Sequence, residues 1–235
     1  MQLRSCLFII LGLCWAVPKV SGQVQIPKAQ LDNYLQAVKK VTNHPNLSYR
    51  YKLVMENKQN SRSSESISGQ LFKNGTDYRD SNTYAMSMIA GNYFFKLDFK
   101  KKEAYLYSLP VIEKKLGVKR QDMKASILDI SDSLMASMGN LSASEDNGEI
   151  MLQYKLKHSA GTVQSISFKI RKSDMNLLEI KLIAKEEGSS ISYYLNDFSN
   201  QMNDKQFTAS QYFSIGNKKA KLSGRYQSYK LNAVL

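Results

Sequence analysis

The mature part of the chain lacks cysteine, because the sequence has only Cys6 and Cys14 and both lie within residues 1–22. This first segment has the pattern of a cleavable secretory signal peptide: a basic start, a short apolar core and small residues before the cut. Arg4 supplies the charge, residues 6–17 form the core, and small residues precede a predicted cleavage before Gln23. We therefore expect an exported protein without a disulfide, a catalytic thiol or a cysteine metal site.

The apolar core of this segment is shorter than the roughly 20 residues of a membrane-spanning helix, which argues against a retained anchor. Lipid attachment at Cys14 would require a small residue before it, whereas Leu13 stands there. We expect a mature product that is soluble and has no stable membrane anchor.

Histidine is almost as scarce, with only His44 and His158, each beside turn-forming residues. A hydrolytic triad or a zinc site needs spaced partners that this sequence does not provide. No nucleophile elbow, phosphate-binding glycine loop or His-Glu-x-x-His motif is present. The acidic residues Glu186, Glu187 and Asp197 are typical of strand ends. The sequence therefore predicts a protein that is not an enzyme and has no cofactor and no metal.

Acidic residues are outnumbered, since 33 Lys and Arg face 20 Asp and Glu, for a net charge of +13. Loss of Arg4 and Lys19 with the signal peptide lowers this to +11. Such a charge favours anionic partners, among them acidic lipids and polysaccharides. Export argues against nucleic acid. Because the lysines form no dense block, a solubilising charge spread over strand exteriors is an equally good interpretation.

The hydrophobic pattern predicts a mainly β protein with amphipathic helices. Apolar residues at three- and four-residue spacing predict a helix from Pro27 to Val41, which ends before Pro45. The period then changes to two between Leu47 and Met55, as in a half-buried strand. Similar runs follow, separated by turn residues, and indicate one continuous antiparallel sheet. They cover residues 67–73, 84–90, 93–99, 104–109, 150–156, 164–170, 177–184 and 190–195, and less clearly 207–215 and 220–231.

A second amphipathic helix is predicted midway through the strands, from Met123 to Leu141, and a polar loop after it at residues 142–148. The mature chain is also rich in methionine, a flexible side chain that can repack around ligands of varied shape. Ordinary core packing explains each methionine equally well. One twisted sheet with few helices nevertheless leaves an apolar face that must be covered.

The order of these elements resembles the periplasmic outer-membrane lipoprotein carriers, the LolA-like family. Short, degenerate motifs carry the resemblance: Ser68-Gly-Gln-Leu-Phe72, Tyr78-Arg79, residues 86–91, Tyr93-Phe-Phe95, residues 104–107, Ile166-Ser-Phe168, Leu178-Glu-Ile180, residues 194–198 and residues 200–207. The resemblance covers residues 29–213. It implies a single domain from residue 23 to 235, built as an open antiparallel β-barrel (half-barrel) with helices as a lid over an apolar concave face.

The resemblance also implies a function. Members of the family shield the acyl chains of lipoproteins in an apolar cavity and carry them across the periplasm to the outer membrane. The expected partners are lipidated proteins or other acylated ligands, together with the inner- and outer-membrane lipoprotein-sorting machinery, and the expected state is a monomer. One motif departs from the family: an Arg-Pro pair that holds the lid in many members is replaced by Lys73-Asn-Gly-Thr76, so its role does not transfer to Arg79.

Alternation and the resemblance together give the candidate ligand-binding residues of the cavity and lid. They are Leu53, Met55, Leu71, Met86, Met88, Phe95, Leu97, Leu106, Ile127, Leu134, Met138, Leu152, Ile166, Phe168, Ile180 and Leu182. The alternative function is a non-catalytic envelope module that binds another lipid or an anionic surface polymer through its basic exterior.

Overall fold

A computed structural model of the chain describes residues 26–57, 64–117, 138–156, 163–186, 189–201, 207–217 and 219–235. The predicted signal peptide lies outside these residues. The described helices are α1 (Lys28–Thr42) and α2 (Leu109–Leu116). The strands are β1 (Asn46–Asn57), β2 (Ser64–Asn74), β3 (Asp77–Asn82), β4 (Ala85–Ala90), β5 (Tyr93–Asp98), β6 (Glu103–Ser108), β7 (Met138–Asp146), β8 (Glu149–Leu156), β9 (Val163–Arg171), β10 (Asn176–Glu186), β11 (Ser189–Ser199), β12 (Phe213–Gly216), β13 (Lys219–Leu222) and β14 (Lys230–Val234).

The strands form one large open sheet, as the sequence pattern predicts. Its order is β14-β6-β5-β4-β3-β2-β1-β11-β10-β9-β8-β7, with β12 and β13 in a separate hairpin. Two antiparallel meanders, β1 to β6 and β7 to β11, join where β1 pairs with β11. The last strand, β14, pairs in parallel with β6 and is the exception to the antiparallel prediction. The result is a mainly β fold whose sheet does not close into a barrel.

Helix α1 confirms the first helical prediction. It begins after Pro27, whose extended backbone suits the position before a helix, and ends at Asn43, two residues before Pro45. Tyr34 and Val38, one turn apart on the same side of the helix, are almost fully buried. This apolar stripe fixes α1 against the sheet.

The middle of the chain corrects three predictions. Helix α2 begins at Leu109, the last residue of the predicted strand 104–109; Pro110 lies in its first turn and Gly117, in left-handed geometry, ends it. Most of the predicted helix 123–141 lies outside the described residues, but its last part is wrong, because Met138 and Leu141 belong to strand β7. The predicted loop 142–148 is also mostly strand, since β7 continues to Asp146 and pairs with β8.

The sheet has two differently covered faces, which the strand register defines. Directly paired residues on neighbouring strands point to the same side of a sheet, and successive residues along a strand point to opposite sides. In one row, Leu71 of β2 pairs with Asp80 of β3. In the next, Phe72 pairs with Arg79, which pairs with Met88. We call the side that carries Leu71 the helix face and the side that carries Phe72 the C-terminal face.

Each face has its own core. On the helix face, α1 packs over β1, β2 and the second meander, in a cluster that includes Tyr49, Leu71, Phe168 and Leu195. On the C-terminal face, residues 209–231 of the segment 207–235 pack over β4 to β6 and contact Arg79 of β3 through Tyr212. The hairpin of this segment and its short 3₁₀ helices at Ala209–Gln211 and Gly224–Tyr226 bring aromatic rings onto this part of the sheet. The chain therefore folds layers on opposite sides of one sheet.

Candidate functional site

A patch of partly exposed apolar side chains lies on the helix face, beside the α1 cluster. Register places its members together: Leu53 pairs with Ile67 on one side and with Tyr193 on the other, and Tyr193 pairs with Leu182. Met55 lies one step further along β1 on the same face. All five side chains are intermediate in exposure. We call these residues, Leu53, Met55, Ile67, Leu182 and Tyr193, the open patch.

A polar group borders the open patch on the same face. Tyr51, two residues before Leu53, donates a hydrogen bond from its hydroxyl to Oδ1 of Asp80 (2.8 Å). Asn82 donates from Nδ2 to the same hydroxyl oxygen (3.2 Å). The Tyr51 ring can cross β2 to reach β3 because residue 69, which pairs with Tyr51, is glycine. A Cβ at Gly69 would lie 2.4 Å from the ring and hydroxyl of Tyr51.

Burial and the Asp80 charge shape the electrostatics of this group. Burial raises the pKa of the Asp80 carboxyl above its usual range, although the hydrogen bond from Tyr51 opposes that shift. Burial also raises the pKa of Tyr49, Tyr51 and Tyr78, and the nearby Asp80 charge adds to each rise. For Tyr78 the pKa reaches about 12. At neutral pH these hydroxyls are therefore neutral, and that of Tyr51 is bonded to the partly buried Asp80 side chain.

The predicted binding residues fall on both faces of the sheet. Those on the helix face are Leu53, Met55, Leu71, Leu152, Ile166, Phe168, Ile180 and Leu182. Most of them are buried in the α1 cluster, whereas Leu53, Met55 and Leu182 are partly exposed in the open patch. The contribution of these residues to ligand binding stays a prediction.

A second group of predicted binding residues lies on the C-terminal face, so the predicted set does not line one surface. This group, Met86, Met88, Phe95, Leu97 and Leu106, is at most 2% exposed. Its side chains pack against the C-terminal segment; the Phe95 ring lies 5.9 Å from that of Tyr212 and 5.1 Å from that of Phe213. Ile127 and Leu134 lie outside the described residues, as does the side chain of Met138.

Arg79 holds this C-terminal segment and does not face the open patch. Its guanidinium lies over the Phe72 ring (5.9 Å to the centroid) and over the Tyr212 ring (5.8 Å). A guanidinium between two aromatic faces is a stabilising cation–π contact. The structure thus links β2, β3 and the C-terminal segment through Arg79.

Two of the polar residues considered for catalysis, His44 and Asp197, make other contacts in the described structure. His44 lies in the turn after α1, where its Nδ1 contacts the backbone of Asn46. Asp197 forms an exposed ion pair with Arg50 at 3.3 Å. His158 and Glu187 lie outside the described residues. In the described ranges, no three His, Cys, Asp or Glu side chains are grouped as metal ligands would be.

Some residues of the candidate site were not found from the sequence. Tyr193 and Ile67 belong to runs recognised as strands, and a register would have been needed to place them beside Leu53. Asp80 stands at a strand position in register with Leu71, and only its burial and its contact with Tyr51 distinguish it. Within the part of the chain that the structure describes, no helix is both long and apolar enough to cross a membrane.

The chain is similar in structure to solved proteins with which it shares little sequence identity. No family model matches the chain. No curated protein sequence matches it significantly. Among solved structures, a LolA superfamily protein from Nitrosomonas europaea is similar at 11% identity and a TM-score of 0.35, covering 75% of this chain and 96% of that one. LprF from Mycobacterium bovis is similar at 8% identity and a TM-score of 0.42, covering 77% and 97%.

Proposed function

We propose that the mature chain is an exported, non-catalytic carrier that binds acylated ligands on the helix face. The observation that carries this proposal is the open patch, where Leu53, Met55, Ile67, Leu182 and Tyr193 leave apolar surface partly exposed beside the α1 core. Burying acyl carbon is worth about 0.8 kcal/mol per CH₂ group, so a modest length of chain on such a surface yields substantial binding energy.

The finer proposal is a periplasmic carrier that moves lipidated proteins toward the outer membrane. In this proposal residues 23–235 act as one domain and as a monomer, and exchange cargo with sorting machinery at the inner and outer membranes. The sequence resemblance to LolA-like proteins and the predicted signal peptide support it. The open sheet with α1 on one face supports the same architecture.

A matched pair of substitutions on β1 tests the binding surface. Leu53 and Val54 are adjacent and both partly exposed, but they point to opposite faces. We expect Leu53→Asp to weaken binding of a fluorescent acyl probe by tenfold or more, because a charge would lie against the acyl chain. Val54→Asp, on the other face, should leave binding within twofold of wild type. Circular dichroism confirms that both variants fold.

The salt dependence of binding distinguishes the carrier function from the alternative function. Binding through the open patch should persist at high salt, whereas binding through the basic exterior should weaken steeply as ions screen the charges. Failure of the wild-type chain to bind any acylated probe would overturn the proposed carrier function. Equal losses of affinity in Leu53→Asp and Val54→Asp would show that the open patch is not the binding surface.

A further inference from the structure

The helix face contains a partly exposed carboxylate, Asp80, that accepts one protein hydrogen bond among the described residues. Asp80 accepts a hydrogen bond at Oδ1 from Tyr51, and Asn82 in turn donates to Tyr51. Across the described ranges no other hydrogen bond reaches the Asp80 carboxylate, and the one buried side-chain polar atom there without a partner is Nε of Arg79, so Oδ2 of Asp80 is open to solvent or to a ligand. Asp80 is only partly exposed. A carboxylate in this state has lost part of its hydration and has one donor in return.

No cation of the described residues neutralises Asp80, although the chain is strongly basic. The ion pairs of these residues involve other acids, among them Glu145, Glu149 and Asp174. The neighbouring Arg79 is on the C-terminal face, between aromatic rings. Asp80 is thus a partly buried carboxylate on the helix face with no ion-pair partner among the described residues, and a ligand cation could supply one.

The position of Asp80 relative to the open patch fits an amphipathic ligand. Tyr51 lies between Tyr49 and Leu53 along the helix face of β1, and residue 69 lies between Leu71 and Ile67 on β2. The Tyr51 ring bridges from there to Asp80. A ligand whose apolar chain covers Leu53 and Ile67 therefore places its polar end within a few strand positions of Asp80.

We propose that Asp80, with Tyr51, receives a primary ammonium group of the acylated ligand and selects ligands that carry one. The inference rests on the proposed function and specifies the chemistry of its cargo. Two sources offer this group: the ethanolamine head of a phospholipid and a lysine side chain close to the acyl chains of a lipidated peptide. Both supply N–H donors and a positive charge to Oδ2.

The test compares lipids with identical acyl chains and different heads by native mass spectrometry of the wild-type chain. Phosphatidylethanolamine and phosphatidylcholine have the same net charge, but only the ethanolamine head has N–H donors. We expect the ethanolamine lipid to bind about tenfold more tightly, a difference of about 1.4 kcal/mol. Phosphatidylglycerol, which lacks a cation, should bind no better than phosphatidylcholine. This comparison does not depend on the folding of a variant.

A matched pair of variants assigns the preference to the residue. Asp80→Asn should abolish the ethanolamine preference, so that the ethanolamine and choline lipids bind with equal affinity. Asp77→Asn, on the same strand but on the C-terminal face, should keep it. An acylated peptide with one lysine, compared with its glutamine analogue, tests the second source; a preference in either arm supports the inference and identifies the source.

Two outcomes oppose the inference and differ from each other. If lipids and acyl-peptides bind but without any ammonium preference, or if the preference survives Asp80→Asn, the inference is wrong and the proposed carrier function stands. If the wild-type chain binds none of these probes, the carrier function fails and the inference fails with it.

Discussion

Gly69→Ala tests the packing that places Tyr51 at Asp80. An ideal Cβ at this position would lie 2.4 Å from Cζ and from the hydroxyl oxygen of Tyr51, and 2.7 Å from the backbone oxygen of Ser81. Real Cβ contacts are never this short, so the ring must leave its position over β2. The backbone oxygen of β3 cannot shift as easily, because it belongs to the sheet.

The expected cost follows from two losses and one gain. Overpacking costs about 1–3 kcal/mol, and losing the Tyr51 hydrogen bond to a charged partner costs about 1.5–3 kcal/mol. Replacing glycine in a strand returns about 0.5–1 kcal/mol of backbone entropy. We therefore expect Gly69→Ala to lower the free energy of unfolding by about 1.5–5.5 kcal/mol, measured by urea denaturation with an unchanged m-value.

Two controls make this prediction specific. Gly216→Ala, where a Cβ would meet nothing within 4 Å, should change stability by less than about 0.5 kcal/mol. In a Tyr51→Ala background, Gly69→Ala should cost at least about 1 kcal/mol less than in wild type, since the ring that it displaces is gone. An equal cost in both backgrounds, or no cost at all, would refute the reasoning.

Three further predictions concern residues near this group. Arg79→Lys should weaken the contacts with Phe72 and Tyr212 by about 0.5–2 kcal/mol. Limited proteolysis within residues 207–235 should become faster, and an unchanged cleavage rate would contradict the assigned contact. Burial raises the pKa of Asp80, so its charge destabilises the fold as pH rises above the unfolded value of about 3.9. Asp80→Asn should therefore raise the free energy of unfolding more at pH 7 than at pH 4.5. The same difference at both pH values would contradict this prediction. Burial raises the pKa of Tyr78 to about 12, so its stabilising contribution is complete below about pH 10 and is lost as pH rises further. The free energy of unfolding of Tyr78→Phe, measured by urea denaturation, should therefore fall less steeply over that range than that of wild type. Parallel curves would contradict this prediction.

The sequence predicts most of the strands, because alternation within a strand reflects the burial of its side chains, but no predicted run covers β3 (Asp77–Asn82). The alternation from Leu47 to Met55 predicts a strand, and the structure confirms β1; Leu47 and Tyr49 are buried, whereas Leu53 and Met55 are partly exposed. Short elements are harder to predict from the sequence. Helix α2 has only eight residues, and its start and stop signals, Pro110 and Gly117, are clearer than its apolar period. In β7, Met138 and Leu141 fit a helical spacing, but pairing with β8 determines their structure.

The candidate site was less predictable, because alternation orders residues within a strand and does not relate one strand to the next. Leu71 and Met88 each occupy an apolar position of an alternating run, yet the register puts them on opposite faces. No sequence pattern around Asp80 marks it as a residue of the candidate site. Its environment depends on Tyr51, 29 residues earlier, reaching across Gly69.

The separate layers on the two faces have a consequence for local unfolding. The C-terminal layer contacts β3 to β6, whereas α1 covers β1, β2 and the second meander, so opening of one layer leaves the hydrophobic contacts of the other in place. Such layers act as distinct cooperative units in amide hydrogen exchange. We expect amides of β8 to β10 to keep their protection during events that release Tyr212 and Tyr226, and a cargo bound on the helix face would remain in place through that opening.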